Sequence, residues 1–158
     1  MEKAQIVDFN RRLTQCNRSE LVVITYDIYF VYASDARSAY EREDYAGFVA
    51  AVHKAEAAVR RLLDTLDYKY ELSRELGSLY QFCLRELARS VYGNHLEGVS
   101  EASKILATLY TGFVEVAKED ASAPLMQNAQ QVVVGMTYGR GSLVENYTTN
   151  EYNRGFFV

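Results

Sequence analysis

The histidines and cysteines of this sequence, which are common metal ligands and nucleophiles, are His53, His95, Cys16 and Cys83. A di-iron site in a helical bundle places a glutamate three residues before each ligand histidine. Neither histidine follows a carboxylate at that spacing, and the two cysteines are too far apart in sequence to form a metal or redox motif. We therefore predict no metal ligands and no cofactor. Cys83 lies on an apolar helical stripe, so we expect it in the core of a protein that resides in a reducing compartment.

Phosphate binding and nucleophilic catalysis also lack their usual signatures. Gly135, Gly139 and Gly141 do not follow the order of a dinucleotide fingerprint, and no Gly-Lys-Ser/Thr follows them. No serine stands at a nucleophile elbow, and no histidine is near either cysteine in sequence. A triad assembled in three dimensions stays open, because spacing alone does not exclude one. The sequence otherwise predicts no catalytic residues, and we expect a protein that is not an enzyme.

The charge of the chain is mild, and its basic residues are scattered. The net charge is -4 at pH 7, and Arg11-Arg12 and Arg60-Arg61 are the adjacent basic pairs. Phosphate binding needs clustered lysine and arginine side chains, so we do not predict nucleic acid as a partner. The first twelve residues carry charges early and contain no apolar run typical of a signal peptide, so we expect a cytoplasmic protein.

The predicted helices are organised around residues 21–33, which read LVVITYDIYFVYA. Only Thr25 and Asp27 lack a largely apolar side chain, so a helix here is apolar on two faces. Such a helix is either central in a bundle or lends its second face to a partner. The three tyrosines favour a partner, because each combines an apolar ring with a polar tip; an ordinary core position is the alternative. The stretch spans only about 20 Å, short of the roughly 30 Å of a bilayer core, so we predict no membrane insertion.

Capping residues and apolar periodicity predict where the helices begin and end. Asn17 is expected to cap the first long helix, which ends at about residue 40 to 43. Asp44 is expected to cap the second long helix, and Asn94 is expected to end the third. The fourth long helix is expected to cover residues 96–119. Connections of a few residues between helices of this length force neighbouring helices to be antiparallel.

The predicted fold class is therefore all-α, an antiparallel up-down-up-down four-helix bundle. Residues 1–121 form this domain, and a short helical arm at about residues 4–16 precedes the bundle. Residues 122–158 are predicted as a C-terminal extension, with a short helix over residues 122–134 and then a largely irregular, flexible tail.

The same periodicity assigns the inward-facing positions of the helices. For the second helix they are Tyr45, Phe48, Val52, Ala55, Val59, Leu62 and Leu66; for the third, Leu72, Leu76, Leu79, Cys83 and Leu87; for the fourth, Val99, Ala102, Leu106, Leu109, Phe113 and Val116. Ile105, Tyr110, Val114 and Ala117 widen the stripe of the fourth helix beyond a single seam. Surplus apolar area of this kind indicates a docking surface or an oligomer contact.

Short motifs over most of residues 6–119 occur in an order typical of one protein family. Glu20-Leu21, Ile24 and Tyr26-Asp27 match a Glu-Leu-Ile-x-x-Leu-Tyr-Asp opening of a first long helix. Lys54-Ala55 with Leu62, Leu66 and Asp67, and then Leu76, Leu79-Tyr80, Phe82 and Leu87, match two further stretches. These motifs resemble the FliS family of flagellar export chaperones. The chain departs from the family at Cys16-Asn17-Arg18, where Ala-Ser-Pro is usual, and the tail lies outside the resemblance.

The resemblance implies a cytoplasmic chaperone that binds the C-terminal segment of flagellin in apolar grooves. Such a chaperone prevents premature polymerisation and keeps flagellin competent for export; the flagellar export gate is a further candidate partner. Family members also cover the empty site with an N-terminal arm. Ile6, Phe9 and Leu13 resemble that self-covering arm, and a permanently packed first turn is the alternative.

The candidate partner-binding residues come from the first, third and fourth long helices. They are Leu21, Ile24, Tyr26, Ile28, Tyr29, Tyr80, Leu106, Leu109, Tyr110 and Phe113. We expect a monomer or a weak homodimer. The alternative function is a helical adaptor that self-associates or binds a different secretion client.

Overall fold

The computed structural model describes residues 3–126, and these residues form five α-helices and no strand. The helices are α1 (Lys3–Gln15), α2 (Arg18–Glu41), α3 (Tyr45–Asp64), α4 (Glu71–Gly93) and α5 (Glu97–Glu119). Helices α2 to α5 each pack on the next in sequence, and α5 packs back on α2. The predicted all-α fold, a four-helix bundle preceded by a helical arm, is confirmed. No helix within residues 3–126 has an apolar stretch long enough to cross a bilayer.

Three polar side chains fix the helix ends where the sequence predicts them. The Asn17 side chain accepts a hydrogen bond from the Glu20 N–H at 2.8 Å, and the Glu20 carboxylate accepts one from the Asn17 N–H at 2.9 Å. This capping box satisfies two backbone donors at the start of α2. Asp44 caps α3 by accepting from the Gly47 N–H at 2.9 Å. Asn94 ends α4 in the left-handed conformation, with a φ of 48°, which asparagine tolerates better than most residues.

The start of α5 is capped from a neighbouring helix, and the sequence gives no sign of this contact. Leu96 offers no capping side chain, but the buried Ser90 hydroxyl of α4 accepts from the Val99 N–H at 3.0 Å. Gly98 lets the helices come this close, since a Cβ there would clash with the Glu86 carbonyl. This contact sets the rotation of α4 against α5.

The inward face predicted for α4 is partly wrong. Leu72 and Leu79 are exposed, Leu72 to 63%. The face that packs inward comprises Ser73, Leu76, Gly77, Tyr80, Cys83, Leu87 and Ser90. The small residues at positions 73, 77 and 90 allow close approach, so α4 turns a mixed stripe inward and leaves two leucines outside.

The other predicted stripes hold over most of their length and fail at their ends. In α3, Phe48, Val52 and Leu62 are fully buried, whereas Tyr45 at the first position is exposed. In α5 burial ends after Leu106, and Val116 is 56% exposed. The last turns of α5 therefore lack cover on one side. Residues 121–126 contain no helix, and the rest of the predicted short helix and tail lies outside the described residues.

Candidate partner-binding surface

The ten predicted partner-binding residues divide into two groups of equal size. Five are buried in this structure: Ile24, Tyr26, Tyr29, Tyr80 and Leu106. Five are partly exposed and pack at the edge of the two apolar clusters: Leu21, Ile28, Leu109, Tyr110 and Phe113. Only the second group offers side-chain area to a partner without rearrangement of the core.

The buried tyrosines satisfy their hydroxyl groups inside the bundle. The Tyr26 and Tyr80 hydroxyls lie 2.6 Å apart, and the Tyr29 hydroxyl lies 3.0 Å from the Ser103 hydroxyl. Burial raises the pKa of all three tyrosines, that of Tyr29 to about 12. Paired hydroxyl groups explain how aromatic rings with polar tips can occupy core positions.

A cluster of aromatic rings extends from this core to the surface between α2 and α5. The Tyr26 ring lies 5.6 Å from the Phe113 ring and 6.0 Å from the Tyr110 ring, measured between centroids. Phe30 contacts Tyr110 edge to face at 5.6 Å. Phe30, Tyr110 and Phe113 are all partly exposed. They form an apolar surface that is supported from below by fully buried rings.

Helix α1 covers the second apolar face of α2 with few contacts. Phe9 is the only buried residue of α1 and packs with Cys16 and Ile24. Leu13 packs at the edge of this cluster, together with Leu21, Ile28 and Val31 of α2, whereas Ile6 is 45% exposed. We use the name arm cluster for Phe9 and Leu13 of α1 together with Cys16 and the α2 residues Leu21, Ile24, Ile28 and Val31. Of the three predicted arm residues, Phe9 and Leu13 contact the bundle and Ile6 lies largely in solvent.

An ion pair also holds α1 against the bundle. The Arg12 guanidinium donates to the Asp27 carboxylate of α2 at 2.6 Å and lies 5.6 Å from the centre of the Phe9 ring. The Tyr110 hydroxyl of α5 interacts with the same carboxylate. Burial, with the hydrogen bond and negative charge of Asp27, raises the pKa of Tyr110. Three helices therefore meet at Asp27.

The junction between α1 and α2 is tied to the end of α5. The Asn17 side-chain amide donates to the Asp120 carbonyl at 2.9 Å, and the Ser19 hydroxyl donates to the Asp120 carboxylate. The Leu125 N–H donates to the Cys16 carbonyl at 3.0 Å. Hydrogen bonds from Ser19 and Ser122 lower the pKa of Asp120 to about 2. Asn17 was predicted only as a helix cap, so this tertiary role was missed.

A cleft of about 490 Å³ lies between α1, α2 and α5, next to this junction. Its lining combines apolar side chains with charged ones: Arg12, Gln15, Cys16, Glu20, Val23, Ile24, Val114, Ala117 and Lys118. The volume is sufficient for several side chains of a bound segment. A lining of this kind suits an amphipathic helix, whose apolar side packs inward while its polar side meets the charged groups.

Further apolar side chains are exposed along α4. Leu72, Leu79 and Phe82 lie there, the last two 37% exposed each. Because the Cys83 thiol lies 3.9 Å from the Ala102 carbonyl in the antiparallel pair, Leu79 is level with Leu106 of α5 and Leu72 with Phe113. Val116 is exposed one turn beyond Phe113. A second apolar surface therefore lies at the end of the bundle where α4 begins and α5 ends.

The side chains that could do chemistry do not form a reaction centre in the described part of the chain. His53 pairs only with Glu56, at 3.2 Å. Both cysteines are buried and free, and burial raises the pKa of each thiol, that of Cys83 to about 11. A thiol that stays protonated is a poor nucleophile and a poor metal ligand. Within residues 3–126, no three His, Cys, Asp or Glu side chains are placed to hold a metal ion.

Comparison with known proteins gives one informative result. The family model described as "FliS: Flagellar protein FliS" matches residues 2–120, which include all five helices. A search of curated proteins found no match.

Proposed function

The chain belongs to the FliS family of flagellar proteins, and we propose that it is a cytoplasmic export chaperone that binds the C-terminal segment of flagellin. The family has a chaperone role in flagellum assembly. Flagellin as the client, and apolar surface as its binding site, are proposals that the contacts of this chain support. We propose further that the chain is not an enzyme.

The observation that carries this proposal is the arrangement of α1 on α2. The second apolar face of α2 is covered by a helix of 13 residues that buries one side chain, Phe9. An isolated helix of that length is only marginally stable in water. This face of α2 can therefore exchange α1 for another apolar helix at little cost to the bundle, whose own core includes Tyr26, Val59 and Leu87.

The aromatic surface between α2 and α5 extends the area available to a client. Phe30, Tyr110 and Phe113 adjoin the face that α1 covers, and Val114, next to Phe113, lines the cleft between α1, α2 and α5. A disordered client pays the entropy of ordering when it binds, so useful affinity requires a large apolar contact. A client helix that lies along α2 and α5 would bury these side chains in addition to the α2 side chains of the arm cluster.

Titration calorimetry of the full chain with a synthetic peptide of the flagellin C-terminal segment tests the proposal. We expect a complex, and we expect Val114→Asp to weaken it at least about tenfold because a carboxylate would enter the apolar contact. Tyr92→Asp is the matched control, since Tyr92 is 92% exposed at the far end of α4. The affinity of Tyr92→Asp for the peptide should equal that of the unmodified chain.

Light scattering on the same samples separates the chaperone from a self-associating adaptor. A stable dimer of the free protein that dissociates when Val114 is replaced by Asp would show that this surface binds a second copy. We expect instead a free monomer or weak homodimer and a complex with one flagellin segment. The export gate is proposed to receive that complex.

A further inference from the structure

Asp27 is an acidic group at the edge of the apolar surface that α1 covers. Its side chain is 22% exposed, and its carboxylate accepts from Arg12 at 2.6 Å. The Tyr110 hydroxyl is a neutral second partner of this carboxylate. The other groups nearby are aromatic: the Phe9 ring lies under Arg12, and the Tyr110 ring contacts Phe30. The cation that neutralises Asp27 therefore comes from the arm.

Within residues 18–119, no basic side chain of the bundle forms an ion pair with Asp27 in this structure; its ion pair is with Arg12. Lys118 of α5 lines the cleft that Arg12 also lines. It lies eight residues beyond Tyr110, a separation of about 12 Å along the helix axis. When α1 moves away, Asp27 consequently loses its cation and keeps only neutral partners, the Tyr110 hydroxyl and water.

A client helix that took the place of α1 and presented a purely apolar face would cover the Asp27 carboxylate and exclude the water that solvates it. Covering a charge without a partner is costly, and a segment with a matching cation avoids the cost. Helix α1 itself shows the chemistry that fits: an aromatic residue, Phe9, followed by Arg12 and Leu13 on one helical face.

We propose that Asp27 selects the client, and that the segment replacing α1 presents a lysine or arginine to Asp27 from within an apolar helical face. This inference rests on the proposed function, because it names the chemistry of the same client. It gives Asp27 two successive cations, Arg12 when the site is empty and a basic residue of the client when it is filled.

The two roles predict opposite effects on client binding. Arg12→Gln should tighten binding, because the arm loses its ion pair. If Asp27 served only the arm, Asp27→Asn in the Arg12→Gln background would leave client affinity unchanged. If Asp27 also pairs with the client, the second substitution should weaken binding about tenfold.

The experiment is titration calorimetry of full-length Arg12→Gln and Arg12→Gln/Asp27→Asn with the flagellin C-terminal peptide. Copies of that peptide with each Lys or Arg replaced by Gln complete a double-mutant cycle. Replacement of one basic peptide residue by Gln should weaken binding to Arg12→Gln about tenfold. The same replacement should leave binding to Arg12→Gln/Asp27→Asn unchanged. Arg12→Gln/Glu101→Gln is the control, because it removes one negative charge from an exposed position of α5 that pairs only with Lys104. Thermal melts confirm that each variant is folded.

Each outcome decides the matter. Weaker binding by Arg12→Gln/Asp27→Asn than by the control, with coupling to one basic peptide residue, supports the inference. Equal or tighter binding by that variant, or weaker binding that is not coupled to any basic peptide residue, overturns it and leaves the proposed function intact. No binding of the peptide by any variant or by the unmodified chain overturns the proposed function and this inference together.

Discussion

The hydroxyl groups of Tyr26 and Tyr80 lie 2.6 Å apart inside the bundle, where they join α2 to α4. Both side chains are fully buried, so each hydroxyl depends on the other. The sequence analysis assigned both residues to partner binding, but in the structure they contact each other in the core. Its consequences for stability can be measured directly.

Tyr26→Phe should destabilise the protein by about 1–3 kcal/mol, because it leaves the Tyr80 hydroxyl buried without a partner. The double variant Tyr26→Phe/Tyr80→Phe should cost less than the sum of the single variants, since it removes both polar groups. Urea unfolding measures both values. Tyr92→Phe is the control and should change nothing, because the Tyr92 side chain is exposed. Additive costs for the two core variants would contradict this account.

The buried tyrosines also predict a loss of stability in alkaline solution. Burial raises the folded-state pKa of Tyr26, Tyr29 and Tyr80 above the ordinary value near 10. Above pH 10 the unfolded chain ionises while the folded chain keeps these protons, so unfolding becomes easier. The free energy of unfolding should fall by about 1.4 kcal/mol per pH unit for each such tyrosine. In Tyr26→Phe/Tyr80→Phe the slope should be shallower; an unchanged slope would count against this explanation.

The sequence predicted the helices well because their ends are determined locally. Asn17, Asp44 and Asn94 act on backbone groups within a few residues of themselves. Periodicity also identified the buried stripe of α3, where apolar residues recur without a break. These features need no knowledge of neighbouring helices.

Predictions failed where a contact between helices decides the outcome. Leu72 and Leu79 look like core residues, but the close approach of Ser90 and Gly98 rotates α4 and turns them outward. Tyr26 looks like surface because its polar tip gives no sign of the Tyr80 partner 54 positions away. The Arg12–Asp27 pair lies within predicted elements, yet no local signal joins them.

Releasing the arm should expose the arm cluster without unfolding the bundle. We expect Phe9→Ala to tighten binding of the flagellin peptide and to remove hydrogen-exchange protection from residues 3–15 alone. Ile6→Ala is the matched control, since Ile6 is 45% exposed and contributes less to the contact. A large loss of global thermal stability in Phe9→Ala would instead favour α1 as a permanent part of the core.

Asp120 should hold the junction of α1 and α2 down to acidic pH. Its folded-state pKa is lowered from 3.8 to about 2 by hydrogen bonds from Ser19 and Ser122. Its stabilising effect is therefore present above pH 4 and is lost as the pH falls towards 2. The hydrogen-exchange protection of the Leu125 amide, which donates to Cys16, should decrease over that range relative to the intrinsic exchange rate at each pH. Ser19→Ala should shift the onset to higher pH, and an onset unchanged by Ser19→Ala would show that Asp120 is not the anchor.

The central claim is that the apolar surface around α1, α2 and α5 is reserved for a client chain. Calorimetric titration of the full chain with the flagellin C-terminal segment, with the mass of the product determined by light scattering, tests it most directly. We predict a complex of one chain with one segment, with a negative heat-capacity change from apolar burial. Absence of any complex at concentrations where the chain is folded would contradict the claim.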